Sequence, residues 1–220
     1  MKAKFKAVLF DLDGTLLDTA PDFTTATNIL LRQKKLPQVK EEDIRRLISD
    51  GSAGIISKLF SMSSNNSLYE KTRYDLLDLY SQHLAEETLP FKGVIELLKK
   101  LEDDDIPWGI VTNKPEIYTN SILNQLDLVS RPKVVICPDH VKLTKPNPEP
   151  IILACNKLGI KPENTVFIGD HIRDIQAGMN AGTTTIAAAY GYIEKCEDVS
   201  EWNASYIAWR PEDLIKLLYI

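Results

Sequence analysis

Ala7-Val8-Leu9-Phe10-Asp11-Leu12-Asp13-Gly14-Thr15-Leu16 opens as an apolar run and stops abruptly on a carboxylate. A short, near-continuous apolar run halted by a polar residue predicts a strand buried on both faces, as in a parallel sheet. The pattern returns at Gly109–Val111 before Thr112, at Val134–Cys137 before Pro138 and Asp139, and at Thr165–Ile168 before Gly169-Asp170. Thr184–Ala189 and Tyr206–Trp209 extend it. Between these runs apolar residues recur at helical spacing in Val94–Leu101, Pro115–Leu126, Glu149–Leu158 and Arg173–Ala181, with Asp213–Leu218 closing the chain. The charge run from Glu102 to Asp105 reads as a solvated loop. Strand–helix alternation of this kind predicts an α/β fold with a doubly wound, Rossmann-like parallel sheet.

The stretch after the first strand breaks the alternation. Asp22–Gln33, Glu41–Ile48, Gly54–Phe60 and Leu68–Glu86 read as helices, separated by Pro37, Gly51 and the polar Ser61–Ser67 segment. That is too much for one connection, so an all-helical domain is expected there. The expected organisation is a core of residues 1–16 and 89–220 with a helical cap of residues 17–88.

The 220 residues suffice for a substantial core plus a smaller satellite. Net charge is −5, which gives no field for nucleic acid or an anionic membrane; an anionic ligand must be held by a local positive site. The three cysteines, Cys137, Cys155 and Cys196, show no CxxC spacing, which fits a reducing compartment and no zinc site. The first apolar run is too short for a signal peptide, so a cytoplasmic location is expected, with no membrane partner.

Polar residues at the strand ends carry the chemistry, because α/β sheets bind ligands at the carboxyl ends of their strands. Asp11 and Asp13 can converge where Gly14 lets the backbone curl, and clustered carboxylates call for a cation; oxygen ligands suit Mg2+. Thr112-Asn113-Lys114 offers hydroxyl, amide and ammonium donors, Lys145-Pro146-Asn147-Pro148 presents a lysine on a proline-stiffened loop, and Asp170 and Asp174 form a second acidic pair. His83 reads as a surface or partly buried histidine of the helical stretch, and His140, after a strand end, as structural with the cleft as its alternative. His171 reads as a neighbour of the acidic pair rather than a ligand, since Mg2+ prefers oxygen. Trp108, Trp202 and Trp209 read as core or core-edge aromatics.

In order along the chain, DxDGT at Asp11–Thr15, Thr112, Lys145 and GDxxxD at Gly169–Asp174 resemble the four motifs of the haloacid dehalogenase superfamily. The helical insertion is similar to the cap of its phosphoglycolate-phosphatase-like branch. Trp108–Pro115, Cys137–His140 and Tyr190–Ile193 look especially like bacterial N-acetylmuramic acid 6-phosphate phosphatases. The resemblance implies Mg2+-dependent hydrolysis of a small phosphorylated metabolite through an aspartyl phosphate. Asp11 would be the nucleophile and Asp13 the proton shuttle; Thr112, Asn113 and Lys145 would bind phosphate. Asp11, the Asp13 carbonyl, Asp170 and Asp174 would hold the metal. Cap closure would exclude water, with Asp50, Gly51 and Ser52 as specificity candidates, in a monomer or homodimer. Two alternatives stand beside it: a sugar-phosphate phosphotransferase or mutase, and a non-catalytic phospho-ligand sensor. Phe23, where mutases of the superfamily carry histidine, argues against the first; the intact motif set argues against the second.

Overall fold

The computed structural model describes residues 3–193 and 197–219, so Cys196 lies outside the described residues. In chain order the elements are β1 (Ala7–Phe10), β2 (Leu17–Asp18), α1 (Ala20–Gln33), α2 (Glu41–Ile48), α3 (Gly51–Leu59), α4 (Tyr69–Gln82), β3 (Leu89–Pro90) and α5 (Val94–Asp103). They continue with β4 (Trp108–Val111), α6 (Glu116–Gln125), β5 (Val134–Ile136), α7 (Glu149–Leu158), β6 (Thr165–Gly169), α8 (Ile172–Ala181), β7 (Thr184–Ala188), β8 (Tyr206–Ala208) and α9 (Asp213–Leu218).

The chain forms two compact units: Met1–Leu17 with Pro90–Ile220, and Asp18–Leu89. The first is an α/β core with a 6-stranded sheet of order β5-β4-β1-β6-β7-β8, every pairing parallel. Its central strands are fully buried, which is why they read as unbroken apolar runs. The chain winds from β1 through β4 to the edge strand β5, then returns to β6 on the other side of β1. The winding therefore reverses around β1. Leu9, Val111, Ile136, Ile151 and Phe167 meet in one core cluster, and Ile175, Ala187, Val199 and Trp202 in another.

The second unit is all-helical apart from its strand residues at the two chain crossings. Its interior is built from Ile44, Ile55, Ile56, Leu76 and Tyr80, all fully buried. Phe23 stacks on Tyr80 with ring centroids 3.7 Å apart. Asp22 Oδ1 accepts the Glu87 N–H at 2.8 Å and Oδ2 accepts the Thr88 hydroxyl at 2.5 Å, tying the first turn of α1 to the returning chain. α1 begins two residues before the span expected for it, because Pro21 suits a first helical turn.

Two expectations are corrected. Trp209 is not a core aromatic: β8 is an edge strand whose last pairing is Ala188 with Ala208, and the indole beyond it is 63% exposed. The charge run after Leu101 is not all loop. α5 continues to Asp103, and Glu102 accepts from Trp108 Nε1 at 3.0 Å and from the Arg131 fork at 3.0 and 3.1 Å. No helix among the described residues is long and apolar enough to cross a membrane.

Candidate active site

Strand register decides which side chains meet. Phe10 on β1 aligns with Ile110 on β4 and with Ile168 on β6. Asp11, Val111 and Gly169 therefore leave the sheet at one level, with Thr112 and Asp170 one residue further on. This is also where the winding reverses, the crevice in which open α/β sheets bind ligands.

The loop after β1 is pulled into a tight curl. The amides of Thr15, Leu16 and Leu17 all point at the Leu12 carbonyl, at 3.4, 3.0 and 2.9 Å. Gly14 takes φ +79°, and a Cβ there would run into the Asp170 carboxylate. The curl brings Asp11 against Lys145, whose Nζ lies 2.8 Å from Asp11 Oδ1 and 2.7 Å from Asp174 Oδ1. The same ammonium donates to the Val111 carbonyl at 2.9 Å.

Asp174 owes its place to the start of α8. Its Oδ2 accepts the His171 N–H at 3.0 Å, while His171 Nδ1 accepts the Arg173 N–H at 3.1 Å, a reciprocal helix cap. The His171 ring is thus used to start the helix. Asp170 is held through both oxygens: Thr15 Oγ1 donates to Oδ1 at 3.0 Å and the Tyr192 N–H donates to Oδ2 at 2.8 Å.

Asp11, Asp170 and Asp174 have ligand oxygens within 4.8 Å of one another. One ammonium, in contact with Asp11 and Asp174, serves a cluster of three carboxylates, so the cluster is short of positive charge. Burial raises the Asp11 carboxyl from 3.8 to about 6; the Asp174 and Asp13 charges add to this, and Lys145 opposes it. Burial, then the charges of Asp11 and Asp174, hold Asp170 well above the ordinary carboxylate range. Burial alone would lower Lys145, but Asp11 and Asp174 outweigh it and raise its pKa. Asp11 Oδ1 and Asp174 Oδ1 are buried without a hydrogen bond of good geometry, despite their closeness to the ammonium. Such oxygens fit a hard divalent cation, and the triad could hold a metal ion.

The other expected residues fall as follows. Thr112 is buried, and its Oγ1 accepts the Lys114 N–H at 3.1 Å, which leaves its own proton to donate. Asn113, expected to bind phosphate, has its side chain engaged by a neighbouring loop. Its amide clamps the Lys145 backbone, donating to the carbonyl at 3.0 Å and accepting the N–H at 3.2 Å. Lys114, a donor to which sequence reasoning assigned no separate role, is buried and places Nζ 3.0 Å from Asp13 Oδ1. Only its place directly after Thr112-Asn113 hinted at this. The His140 ring accepts the Cys137 N–H on Nδ1 at 3.0 Å and sets Nε2 3.2 Å from Glu116, a loop-bracing role.

Of the specificity candidates in the second unit, Asp50 precedes α3 and Gly51 opens it at φ +64°. Ser52 Oγ accepts from Arg73 Nε at 3.0 Å. Nearby, Arg45 reaches Asp18 and Glu41, each at 2.6 Å. The Arg45 and Ser52 side chains are thus engaged within the insertion itself.

Comparison with known proteins places this arrangement. The family model for haloacid dehalogenase-like hydrolases matches residues 8–188. The chain is 42% identical over 217 residues to the N-acetylmuramic acid 6-phosphate phosphatase of Pseudomonas aeruginosa, covering 99% of this chain and 96% of that protein. It is 36% identical to a phosphoglycolate phosphatase of Xanthomonas campestris pv. campestris, covering 95% and 94%. Among solved structures, a predicted phosphoglycolate phosphatase from Haemophilus somnus superposes with TM-score 0.87 at 25% identity, covering 99% of each chain. The chain belongs to the haloacid dehalogenase-like hydrolase family and is one of its phosphatases.

Proposed function

We propose that this phosphatase hydrolyses the phosphate monoester of N-acetylmuramic acid 6-phosphate, with Mg2+, through an aspartyl phosphate on Asp11. The full-length likeness to enzymes named for that substrate carries the substrate assignment. The chemistry rests on the geometry around Asp11.

Asp11 is the one carboxylate in the cluster that ends the central strand and pairs with Lys145. In this reading its oxygen attacks phosphorus, the bond from phosphorus to the leaving oxygen breaks, and Asp13 delivers a proton to that oxygen. Asp13 then takes a proton from the water that attacks the aspartyl phosphate, releasing inorganic phosphate and restoring Asp11. Lys114 holds the Asp13 carboxylate in place for both transfers. Thr112 and Lys145 are the donors that face phosphoryl oxygens, and Asn113 keeps Lys145 where it can do so. Asp11, the Asp13 carbonyl, Asp170 and Asp174 would hold Mg2+, which when bound offsets the negative charge gathered on the cluster and the phosphoryl group.

These residues touch only what every phosphate ester shares. Recognition of the leaving part is therefore assigned to the helical insertion, residues 17–88, with Asp50, Gly51 and Ser52 as its candidates. Phe23, buried and stacked on Tyr80, leaves no histidine at that position and speaks against a mutase.

The substrate assignment is tested by kcat/KM for N-acetylmuramic acid 6-phosphate, phosphoglycolate and p-nitrophenyl phosphate, with Mg2+ and with a chelator. Even one or two pocket contacts to the sugar are worth about 1–3 kcal/mol, so preference for the muramic substrate over phosphoglycolate should be roughly tenfold or more. Chelation should abolish turnover of all three. Equal or better use of phosphoglycolate would overturn the substrate assignment while leaving the phosphatase intact.

A further inference from the structure

We propose that Tyr190 is a positioning residue for the metal site, bracing the loop after β1 so that Thr15 holds Asp170 in its ligating orientation. The inference rests on the metal reading given above. Tyr190 follows β7, and the chain there turns back through a Gly191 N–H bond to the Ala188 carbonyl at 3.0 Å. Its hydroxyl donates to the Thr15 carbonyl at 2.9 Å, linking positions 175 residues apart. Thr15 in turn donates its own hydroxyl to Asp170 Oδ1, and two residues beyond Tyr190 the Tyr192 N–H holds Oδ2.

The loop after β7 thus reaches Asp170 by two routes, one direct and one through Thr15. Close approach is built in: a Cβ on Gly191 would collide with Asp170 Cβ and the Gly14 carbonyl. The Tyr190 phenol is kept as a donor, since burial and then the Asp170 charge push its pKa above 10. Its ring is anchored separately, edge-on to Phe91 at 5.3 Å between centroids. Removing the hydroxyl alone therefore leaves the packing in place. Groups that orient a metal ligand in this way typically affect metal affinity by about 10–100-fold.

The test is Mg2+ binding by isothermal titration calorimetry on the metal-stripped, full-length protein, with Tm recorded for each variant. Tyr190→Phe and Thr15→Val should each raise the Mg2+ dissociation constant by roughly tenfold or more, while Thr15→Ser, which retains the hydroxyl, should stay close to wild type. Saturating Mg2+ should then restore most of the Tyr190→Phe turnover. A merely structural hydroxyl would lower Tm and leave Mg2+ affinity unmoved. Asp170→Asn is the reference that should abolish binding. If wild type binds and Asp170→Asn does not, yet Tyr190→Phe and Thr15→Val both bind within about twofold of wild type, the positioning role is overturned alone. If wild type fails to bind, or Asp170→Asn binds as well as wild type, the metal reading falls and this inference falls with it.

Discussion

Asp11→Asn is expected to lower turnover by at least ~10^3-fold, equivalent to roughly 4 kcal/mol of transition-state stabilisation. The amide keeps the shape of the side chain but lacks the carboxylate oxyanion that attacks phosphorus to form the acyl phosphate. It also removes one of the three carboxylates of the metal triad and the partner of Lys145. Steady-state rates on p-nitrophenyl phosphate and on the muramic substrate check it. The loss should be large on both, because each substrate needs the same attack by Asp11 on phosphorus. A variant retaining more than about a tenth of wild-type activity would rule out the covalent route through Asp11.

Lys145→Met should damage both stability and rate. Its ammonium is buried and lies against Asp11, Asp174 and the Val111 carbonyl, so its loss leaves a carboxylate cluster without a counter-charge. Breaking a buried pair by removing one partner costs about 3–5 kcal/mol. Turnover should fall by roughly 10^2- to 10^3-fold, the usual cost of deleting a donor aimed at developing charge. The stability loss has a pH signature. Asp11 titrates in the fold at about 6 instead of 3.8, so the stability tied to it is present below 3.8 and lost as pH rises through 6. Without Lys145 the Asp11 carboxyl is driven higher still. The difference between variant and wild type should therefore be largest near about pH 8 and shrink on acidification. Urea unfolding of the chelated proteins across that range measures it. A difference under about 1 kcal/mol that does not change with pH would show the ammonium is not neutralising the cluster.

Much of this was legible in the residue order. Central strands buried on both faces must be apolar throughout, so Ala7–Phe10, the run ending at Val111 and the run ending at Ile168 stand out without any structure. Their parallel pairing puts Asp11, Thr112 and Asp170 at one sheet edge. What stayed hidden depends on how loops close. Nothing local links Thr15 to Asp170 or Tyr190 to Thr15, positions 155 and 175 residues apart. The bonds from the Asn113 amide to the backbone of Lys145, 32 residues on, form only once the fold brings the two loops together. Lys114 is written beside Asn113 but acts on Asp13, 101 residues earlier. Trp209 carried an apolar pattern that an edge strand has no second layer to cover.

The most direct measurement is to trap the phosphorylated enzyme. Asp13→Asn should still let Asp11 attack p-nitrophenyl phosphate, whose leaving group needs little protonation, but should stall the hydrolysis that needs a base. Rapid acid quench with Mg2+ present, borohydride reduction and peptide mass spectrometry would then locate the acyl phosphate. The expected result is about one phosphoryl group per chain, released with a matching burst of nitrophenol and placed on Asp11 alone. A burst with no modification at Asp11, or a phosphoryl group on any other residue, would contradict the aspartyl-phosphate mechanism.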